Sequence, residues 1–535
     1  MNKNSKIALI KDAFYYILKL FALISGFTAL GIVLYYIIFI SKGFYHGDCS
    51  DTIMWAQAIV DGKTIMNPDF NYAALLPFGG QLLMAPFVAI FGYGMKAQII
   101  GMVIFALLFT FAIVYFCRAA GLSYKWSSLT VAFVLLILCS SEKLREIFWC
   151  HIIYYSLGVF FLLLGLGLVL NLLKQEKFSI KLFVILFIWT TLCSINGSQS
   201  FTLYTIPVVG ALIAERFFDT GTPFFSRKNA RHGLIVINLV SSIAIGLILA
   251  KFINHGITSG YQEGYSEFDQ SGDWVNNILK IIPAILELCG VNPGNELVLF
   301  SPKGLLVLLR IICVAIVMIT PFVMFPLYRK FTEKSYKITL LAHLILSVLL
   351  LLGWIFGKLN AANWRLSPLI VTSSILTIMF IRWIYKEKAI ARISAILIIP
   401  VSIMLLLCTL DVYHTSTIKQ TESNKRLVAV GKYLEQEGLE YGYATFWNSN
   451  SIPLLTDSKV KLACIGQSGG DLYPRMYQTN INWFKDNSYS EYFLLLSINE
   501  FYSYSTSSSY EEPIEIKFFE DYAILIYDYN IMEIK

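Results

Sequence analysis

The sequence reads FYHGDCSD at residues 44–51, directly after an apolar run of roughly thirty residues. This stretch places a histidine and two carboxylates, His46, Asp48 and Asp51, at the end of a predicted first membrane span. The next residues, 52–60, are predicted to form a short helix with one apolar side. A carboxylate beside hydrocarbon loses solvation, so proteins tend to keep one there only where it is paired, hydrated or used. The alternative is a solvated loop acid that caps the short helix, and it applies more readily to Asp48 than to Asp51.

The composition identifies the class of protein. Of the 535 residues, 56% are hydrophobic and 14% are charged, and the mean hydropathy is +0.64. Soluble domains carry about 25% charged residues, so the chain is predicted to be a polytopic membrane protein. Three lysines precede the first apolar run, which lacks a small-residue cleavage pattern. It is therefore predicted to remain as the first span, with the amino terminus in the cytoplasm.

Clusters of lysine and arginine predict the topology, because cytoplasmic loops carry an excess of them. Such clusters lie near 174–181, 216–231, 329–337 and 382–392. Successive clusters are separated by two predicted crossings. Residues 73–93 are apolar enough to cross, but two prolines, three glycines and Gln81 favour a segment that lies in the interface or re-enters. We predict about eleven full spans besides this segment, which places the chain after Asp411 outside.

Polar residues concentrate in the segments predicted to face outward, which include the first outward loop, 41–96, a loop near 254–303 and a short loop at 141–151. Residues 1–412 are predicted to form the transmembrane domain, and residues 413–535 an extracytoplasmic domain. This tail has a predicted helix near 423–437, and its β-rich runs lie at 441–446, 459–465, 492–497 and 522–527. A small α/β domain with a binding or stabilising role is the expected result, since it lacks phosphate-loop and nucleophile-elbow motifs. The basic excess of the chain lies in the membrane domain and requires no nucleic-acid partner.

Short motifs are spread over the length of the chain. In the first loop, Asp51 precedes Trp55 and Ala56 by four and five residues, and a GK…NPDF run follows at 62–70. The late element NWRLSP lies at 363–368, and YGYATFW lies at 441–447. Together they resemble the GT-C superfamily of integral-membrane glycosyltransferases, many bacterial members of which have an Arg-Tyr-x-x-Pro element. The resemblance implies a GT-C-like helical membrane fold and a tail like the extracytoplasmic domain that some members carry.

The resemblance also implies an activity, which is the inverting transfer of a sugar from a polyprenyl-phosphate-linked donor to an acceptor on the outer face. A first-loop aspartate would take the proton from the acceptor hydroxyl as it attacks the anomeric carbon, and the polyprenyl phosphate would leave. Asp51 fits the spacing better than Asp48, but both stay candidates, because Asp51-Thr52 stands where many members have Asp-Glu. A positioned carboxylate suits this chemistry, since proton transfer contributes about 10²- to 10⁴-fold.

The leaving phosphate needs a cation. Arg365, at the outer end of a predicted span, can offer two parallel hydrogen bonds to it, although Trp364 replaces the tyrosine of the family element. The alternative for Arg365 is an interfacial anchor that binds ordinary lipid headgroups. Lys63 is a weaker candidate for the same task and could equally be a solvated loop charge.

A second acidic group lies in the short outward loop, where Glu142, Glu146 and His151 are candidates for contact with the acceptor or with a metal. In some GT-C enzymes acids from this loop join the first-loop aspartate around a divalent ion, so the resemblance allows Mg or Mn as a cofactor without requiring one. Alternatively, neighbouring basic residues on a short helix neutralise these acids. His46 is a further candidate for substrate contact, or an interfacial residue that only forms hydrogen bonds.

The expected partners are a polyprenyl-phosphate sugar donor, a glycan, lipid or protein acceptor at the cell surface, and the lipid bilayer. The expected location is the cell membrane, with multiple spans. Two other classes remain open, namely a transporter or flippase of lipid-linked sugars and a non-enzymatic membrane protein that binds at the cell surface. A transporter should carry ionisable groups or paired broken helices near the midplane, whereas the polar residues here concentrate at one face.

Overall fold

Apolar helices dominate the chain as far as Ile418, as the composition predicts. The computed structural model describes residues 3–218, 230–259, 267–294, 297–387 and 391–534. Parts of two predicted basic clusters and of the loop near 254–303 lie outside the described residues, at 219–229, 388–390, 260–266 and 295–296.

The described part of the membrane domain contains sixteen α-helices. They are α1 Lys3–Tyr35, α2 Asp51–Gly62, α3 Gln81–Phe91, α4 Met95–Ala119, α5 Tyr124–Ile137, α6 Glu142–Trp149, α7 Tyr154–Lys174, α8 Ile180–Ser194, α9 Ser198–Ser200, α10 Ile206–Phe218, α11 Ala230–Ile253, α12 Trp274–Leu288, α13 Pro302–Met324, α14 Lys334–Ile355, α15 Ser367–Lys386 and α16 Ala391–Ile418 among the described residues. Short π and 3₁₀ segments extend several of them, so α1 continues to Phe44 and α9 runs into α10.

Nine helical stretches of the described residues are long and apolar enough to cross a membrane. They are Leu20–Phe44, Met95–Ala119, Tyr154–Lys174, Ser198–Phe218, Ala230–Ile253, Pro302–Met324, Lys334–Ile355, Asn363–Lys386 and Ile396–Gln436. A tenth arises if α5 and α6, which meet at 116°, form one broken span. The remaining predicted span, α8, is apolar but reaches only about 22 Å, against a hydrocarbon core of about 30 Å. The predicted polytopic helical fold is therefore confirmed. The predicted number of eleven spans is reached only if the α5–α6 pair and α8 both cross the membrane as well.

The segment at 73–93 forms a loop and the short helix α3. Its eleven helical residues reach about 16 Å, which is too short to cross a core of about 30 Å. The helix packs against α2 and leaves Ile90 and Phe91 exposed. It begins after Gly80, where a side chain would collide with Ile152 because a Cβ would lie 2.3 Å from the Cβ of that residue. These features agree with a segment that lies in the interface.

One end of the bundle is formed by short elements that do not span. Helix α6 turns away from α5 by 116° and lies across this end. Its first turn is capped by Ser141, whose hydroxyl accepts a hydrogen bond from the Leu144 backbone N–H. Helix α2 and the 3₁₀ turn Asn363–Leu366 meet the same end. The loops that carry the predicted site residues are thus brought together by the ends of different helices.

Helix α15 forms the centre of the bundle and is buried along almost its whole length. Its hydroxyl side chains donate to backbone carbonyls one turn earlier, as Thr372 does to Pro368 and Ser374 does to Ile370. A buried helix tolerates such residues because their hydrogen bonds are satisfied within the helix. Arg365, directly before α15, is therefore held at the end of the most buried helix of the bundle.

The tail forms the predicted small α/β domain. Its helices are α17 Glu422–Gln436, α18 Phe446–Ser449, α19 Ile452–Leu455 and α20 Ile498–Ser505. The strands are β1 Phe70–Asn71 in the first outward loop and, in the tail, β2 Tyr441–Thr445, β3 Lys461–Ser468, β4 Asp471–Pro474, β5 Thr479–Asn480, β6 Tyr492–Ser497, β7 Glu515–Phe519 and β8 Tyr522–Tyr527. Six of them form one sheet in the order β4-β3-β2-β6-β8-β7, in which β2 is parallel to both β3 and β6.

The tail packs directly on the first outward loop. Strands β1 and β5 pair antiparallel, so the two parts of the chain share a two-stranded sheet. The Trp55 indole N–H donates to the Gln478 side-chain oxygen at 2.7 Å. At the end of the first span, Gly43 approaches Lys419 so closely that a Cβ would lie 1.9 Å from the lysine carbonyl oxygen. The tail is therefore placed to contribute residues to a site beneath the first loop.

Candidate active site

A cavity of about 620 Å³ opens at the end of the bundle where α2 and α6 lie. Its lining comes from the first outward loop, the 141–151 loop with the start of α7, the segment around α9, the turn before α15, and the tail. Its ionisable side chains include Asp48, Asp51, Glu146, His151 and Arg365. Five of the eight candidates from the sequence thus meet in one cavity, although they are as far apart as residues 48 and 365.

Asp51 is the first residue of α2 and has an exposed fraction of 6%. Among the described residues its Oδ1 atom has no hydrogen-bond partner. Burial, and then the negative charge of Asp48, raise the pKa of Asp51 well above its ordinary value, while the amide of Gln478 opposes this rise. A carboxylate with a raised pKa and an unoccupied oxygen is equipped to accept a proton from a ligand.

Asp48 lies one turn earlier, in the 3₁₀ segment Gly47–Ser50, and is partly buried. Burial raises its pKa, the nearby His46 lowers it, and Glu146 raises it. Asp48 and Asp51 therefore interact as like charges at the edge of one cavity. Like charges at short range disfavour simultaneous ionisation, so each carboxylate makes the other a stronger base.

Glu146 is as buried as Asp51 but is surrounded by cationic groups. Its Oε2 atom lies 2.6 Å from the Lys143 ammonium nitrogen and 3.2 Å from His46 Nε2. Burial alone would raise the pKa of Glu146, but the hydrogen bond and charge of His46, with the charge of Lys143, lower it to about 2. Glu146 is therefore an ionised, paired carboxylate and a poor proton acceptor.

His151 is a neutral imidazole at the cavity wall. Burial lowers its pKa to about 4, although the charge of Glu146 opposes this. Both ring nitrogens are buried, and within the described part of the chain neither has a hydrogen-bond partner. The closest anionic atom is Glu146 Oε1, at 4.0 Å from Nε2. A buried ring without partners is costly in a folded protein, so it is suited to hydrogen bonding with a bound ligand.

The donor set does not fit a divalent metal. In the described ranges no three His, Cys, Asp or Glu side chains are arranged to hold a metal ion. Glu146, the acid of the second loop that reaches the cavity, already binds Lys143 and His46. These side chains therefore do not supply the ligand set that the Mg or Mn allowed by the sequence resemblance would need.

Arg365 lies in the 3₁₀ turn before α15 and has an exposed fraction of 7%. Its Nη1 atom donates to the Lys358 carbonyl oxygen at 2.6 Å, and its guanidinium carbon lies 5.4 Å from the centre of the Trp364 ring. That indole packs on the rings of Tyr154 and Tyr155. The guanidinium is therefore oriented at a cavity wall that is partly aromatic.

The other sequence candidates lie elsewhere. His46 and the exposed Glu142 line an adjoining cavity of about 720 Å³, which meets the first one at Glu146. Lys63 is exposed at the end of α2, in a left-handed conformation with φ of 51°, and lines neither cavity. His46 thus touches the site through Glu146, whereas Glu142 and Lys63 make no contact with the first cavity.

Two residues of the tail belong to this site and could not be recognised in the sequence. Tyr477 lines the cavity, and Gln478 influences the Asp51 carboxylate. The Gln478 side-chain oxygen accepts hydrogen bonds from the Trp55 indole N–H and the Ala73 backbone N–H, so the amide nitrogen points away from these two donors. No local motif marks these residues, because their role depends on pairing with a loop about four hundred positions earlier.

Backbone strain is also found at this cavity. Tyr154 and Gln478 have φ values of 46° and 52°, in the left-handed region that costs non-glycine residues about 1–2 kcal/mol. Tyr154 begins α7 directly after the 150–153 segment, and Gln478 precedes β5. Strain of this kind persists where surrounding contacts impose it, and it clusters at functional sites.

No family model matches the sequence, and no curated protein matches it. Among solved structures the chain is similar to ArnT from Cupriavidus metallidurans bound to undecaprenyl phosphate, with 10% identity over 98% of this chain and 99% of that one, at a TM-score of 0.45. It is also similar to the oligosaccharyltransferase of Archaeoglobus fulgidus in the apo form, with 13% identity over 90% of this chain and 71% of that one, at a TM-score of 0.46. At these identities and TM-scores the likeness carries no functional argument, so the function has to be argued from the site itself.

Proposed function

We propose that this protein is a membrane glycosyltransferase that moves a sugar from a polyprenyl-phosphate-linked donor to an acceptor hydroxyl. The observation that carries the proposal is one cavity that combines a buried carboxylate, Asp51, whose Oδ1 has no hydrogen-bond partner among the described residues, with an oriented arginine, Arg365. Sugar transfer needs a proton acceptor on one side of the anomeric carbon and a cation for the leaving phosphate on the other. The cavity offers both, at the end of helices long enough to span a bilayer.

The reaction is a single displacement. The acceptor oxygen forms a bond to the anomeric carbon, and its proton passes to Oδ1 of Asp51 as the bond forms. The bond between the anomeric carbon and the phosphate oxygen breaks, and the phosphate keeps the electron pair. Attack from the side opposite the leaving group inverts the anomeric configuration, and the lipid phosphate departs beside Arg365.

The remaining side chains of the cavity have supporting roles. Arg365 can donate two parallel hydrogen bonds to the lipid phosphate, which a lysine cannot do. His151, neutral and without partners in the described part of the chain, is placed to bond a sugar hydroxyl. The aromatic wall of Tyr155 and Trp364 gives a sugar ring or the first isoprene unit an apolar face. Asp48 is the second candidate for the base.

The test is donor turnover by purified protein in lipid nanodiscs, with a panel of radiolabelled polyprenyl-phosphate hexoses and pentoses and with extracted cell-surface glycan as acceptor. Release of free polyprenyl phosphate is measured. Asp51→Asn should lower turnover at least about 10²-fold with donor binding retained, because only the proton acceptor is lost. The matched control is Asp61→Asn, an exposed acid on the same helix that does not line this cavity.

The control variant should turn over donor at the parent rate. Full activity in both Asp51→Asn and Asp48→Asn would reject the enzymatic proposal. Loss of activity in Asp48→Asn with a normal Asp51→Asn would keep the reaction and move the base by one turn.

A further inference from the structure

A second concave site lies at the opposite end of the bundle, and the proposed transfer does not use it. This cavity of about 410 Å³ is formed by the turn between α4 and α5 and by the ends of α7 and α15. Five cations line it, namely Arg118, Lys125, Lys174, Arg382 and Lys386. Helix α4 connects the two ends, since its first turn adjoins the outer loop and its last turn carries Arg118. The sequence predicts this end to be cytoplasmic.

Positive charge exceeds negative charge in this inner cavity. None of the described residues that line it is acidic. Glu333, which lies beside it, pairs with Arg382 at 3.1 Å and with Lys386 at 2.9 Å. Among the described residues, the five cations that line the cavity thus outnumber the carboxylate paired with them. Clustered like charges repel each other, so a group of this kind is stabilised by an anion that it binds.

The two arginines are fixed in place by the backbone. Arg118 Nη1 donates to the Leu122 carbonyl at 2.6 Å, and Arg382 Nη2 donates to the Gly121 carbonyl at 2.9 Å. Both bonds hold the turn between α4 and α5, so the cavity wall is preorganised. The cations of the site therefore need little rearrangement to receive a ligand.

Aromatic side chains place this cavity at the depth of lipid headgroups. Trp126 and Tyr385 lie at its wall with ring centres 6.1 Å apart, and Lys125 Nζ lies 5.8 Å from the Tyr385 ring centre. Tyr124 is exposed beside them, with the Arg118 guanidinium 4.1 Å from its ring centre. Aromatic residues concentrate at the interface between hydrocarbon and headgroups. The cations beside them thus lie where lipid phosphates would be.

We propose that the inner cavity binds the phosphate group of an anionic ligand, as basic pockets between membrane helices do for acidic headgroups. The volume suits a headgroup or a small phosphate, and the charge excess excludes a zwitterionic headgroup as the preferred ligand. This site is independent of the sugar-transfer proposal, because it shares no residue with the outer cavity.

The experiment measures lipid binding to the purified full-length protein by native mass spectrometry, with phosphatidylglycerol, phosphatidylcholine and inorganic phosphate as separate probes. The variant Lys125→Gln/Lys174→Gln removes two cations of the cavity and leaves the arginines that hold the turn. The matched control is Lys177→Gln/Lys181→Gln, which removes the same charge from exposed positions in the same predicted cytoplasmic region, outside the cavity. Unchanged melting temperatures establish that both variants are folded.

The parent should bind phosphatidylglycerol at least about tenfold more tightly than phosphatidylcholine, and the cavity variant should lose about tenfold in that affinity. The control variant should change it by no more than about twofold. Competition by millimolar inorganic phosphate would assign the site to a soluble phosphate, whereas its failure to compete would assign it to the lipid. Equal binding of the two lipids, or an equal loss in the control variant, would overturn the proposal.

Discussion

The first outward loop and the 141–151 loop each bring an acid to the same cavity, and the two acids are almost equally buried. The exposed fraction is 6% for Asp51 and 7% for Glu146. Burial raises the pKa of Asp51 well above its ordinary value, whereas contacts with His46 and Lys143 overcome burial and lower the pKa of Glu146 to about 2. The difference lies in the partners and not in the depth of burial.

This contrast separates two kinds of buried charge. A carboxylate with cationic partners is stabilised as an anion and holds its surroundings in place. A carboxylate beside another acid, with one oxygen free of hydrogen bonds in the described structure, is unfavourable as an anion and favours a proton. The first arrangement suits a positioning role and the second suits proton transfer. The cation of the cavity wall is Arg365, whose Nη1 donates to the Lys358 carbonyl oxygen.

The largest effect is expected on donor affinity when Arg365, the arginine that lines the same cavity as Asp51, is replaced. Arg365→Lys keeps the charge but loses the planar fork, so donor affinity should fall by about 1–3 kcal/mol, and Arg365→Ala should weaken it further. The measurement is equilibrium binding of a labelled polyprenyl-phosphate sugar. Arg329→Lys, an exposed arginine away from both the outer and the inner cavity, is the control. Donor binding by Arg365→Lys that equals the parent's would leave Arg365 as an interfacial anchor.

The second prediction concerns Glu146, the acid with cationic partners, and its readout is the stability of the fold. Glu146→Gln leaves Lys143 and His46 without their anion, so at neutral pH it should destabilise the fold by about 1–3 kcal/mol. The pKa of Glu146 is lowered from 4.5 in the unfolded chain to about 2 in the folded protein, so its ionised form stabilises the fold above about pH 4.5. This contribution is lost as the pH falls from 4.5 to about 2. The melting-temperature deficit of the variant should therefore shrink over this range. Glu142→Gln, an exposed change on the same helix, should show no deficit at any pH.

Replacing Asp51, the acid beside another acid, should change the melting temperature in the opposite direction. Because the pKa of Asp51 is raised, its ionisation costs stability as the pH rises above the unfolded value of about 3.9. Asp51→Asn removes that charge and should raise the melting temperature at pH 7 relative to the parent, even though turnover is lost. A melting temperature that falls in both Asp51→Asn and Glu146→Gln would show that the two acids do not differ as described.

Much of the fold could be predicted because its causes are local. Long apolar runs, basic turns and alternating β-rich runs fix the spans, α17 and the strands β2, β3, β6 and β8 close to where the sequence predicts them. The short α8 is different, since its apolar pattern resembles a span and only its length in the structure distinguishes it. The 116° turn between α5 and α6 depends on packing against other helices and leaves no clear signal in the sequence.

The site could be predicted only in part. The sequence shows which residue types are present, but it does not show which side chains contact each other in the folded protein. An acid at the end of the first span and an arginine before a late span are visible as candidates. Whether Lys63 reaches a phosphate, and whether Glu146 is free or paired, depends on three-dimensional neighbours. Gln478 illustrates the limit, since its contact with the Asp51 region requires β5 to pair with β1 across the chain.

The smallest effect concerns the interaction between the two first-loop acids. As a base, Asp51 must be ionised, so kcat/KM should rise with pH to a plateau, with a midpoint above the ordinary aspartate value of about 3.9. Asp48→Asn removes the like charge that helps to raise the Asp51 pKa, so the midpoint should move to lower pH. Burial is the larger cause of the shift, and the midpoint should therefore stay above that ordinary value. The pH profile of donor turnover measures this directly, with Asp61→Asn as the variant whose midpoint should not move. A midpoint that moves to higher pH in Asp48→Asn would mean that Asp48 is itself the group that titrates, and would assign the base to it.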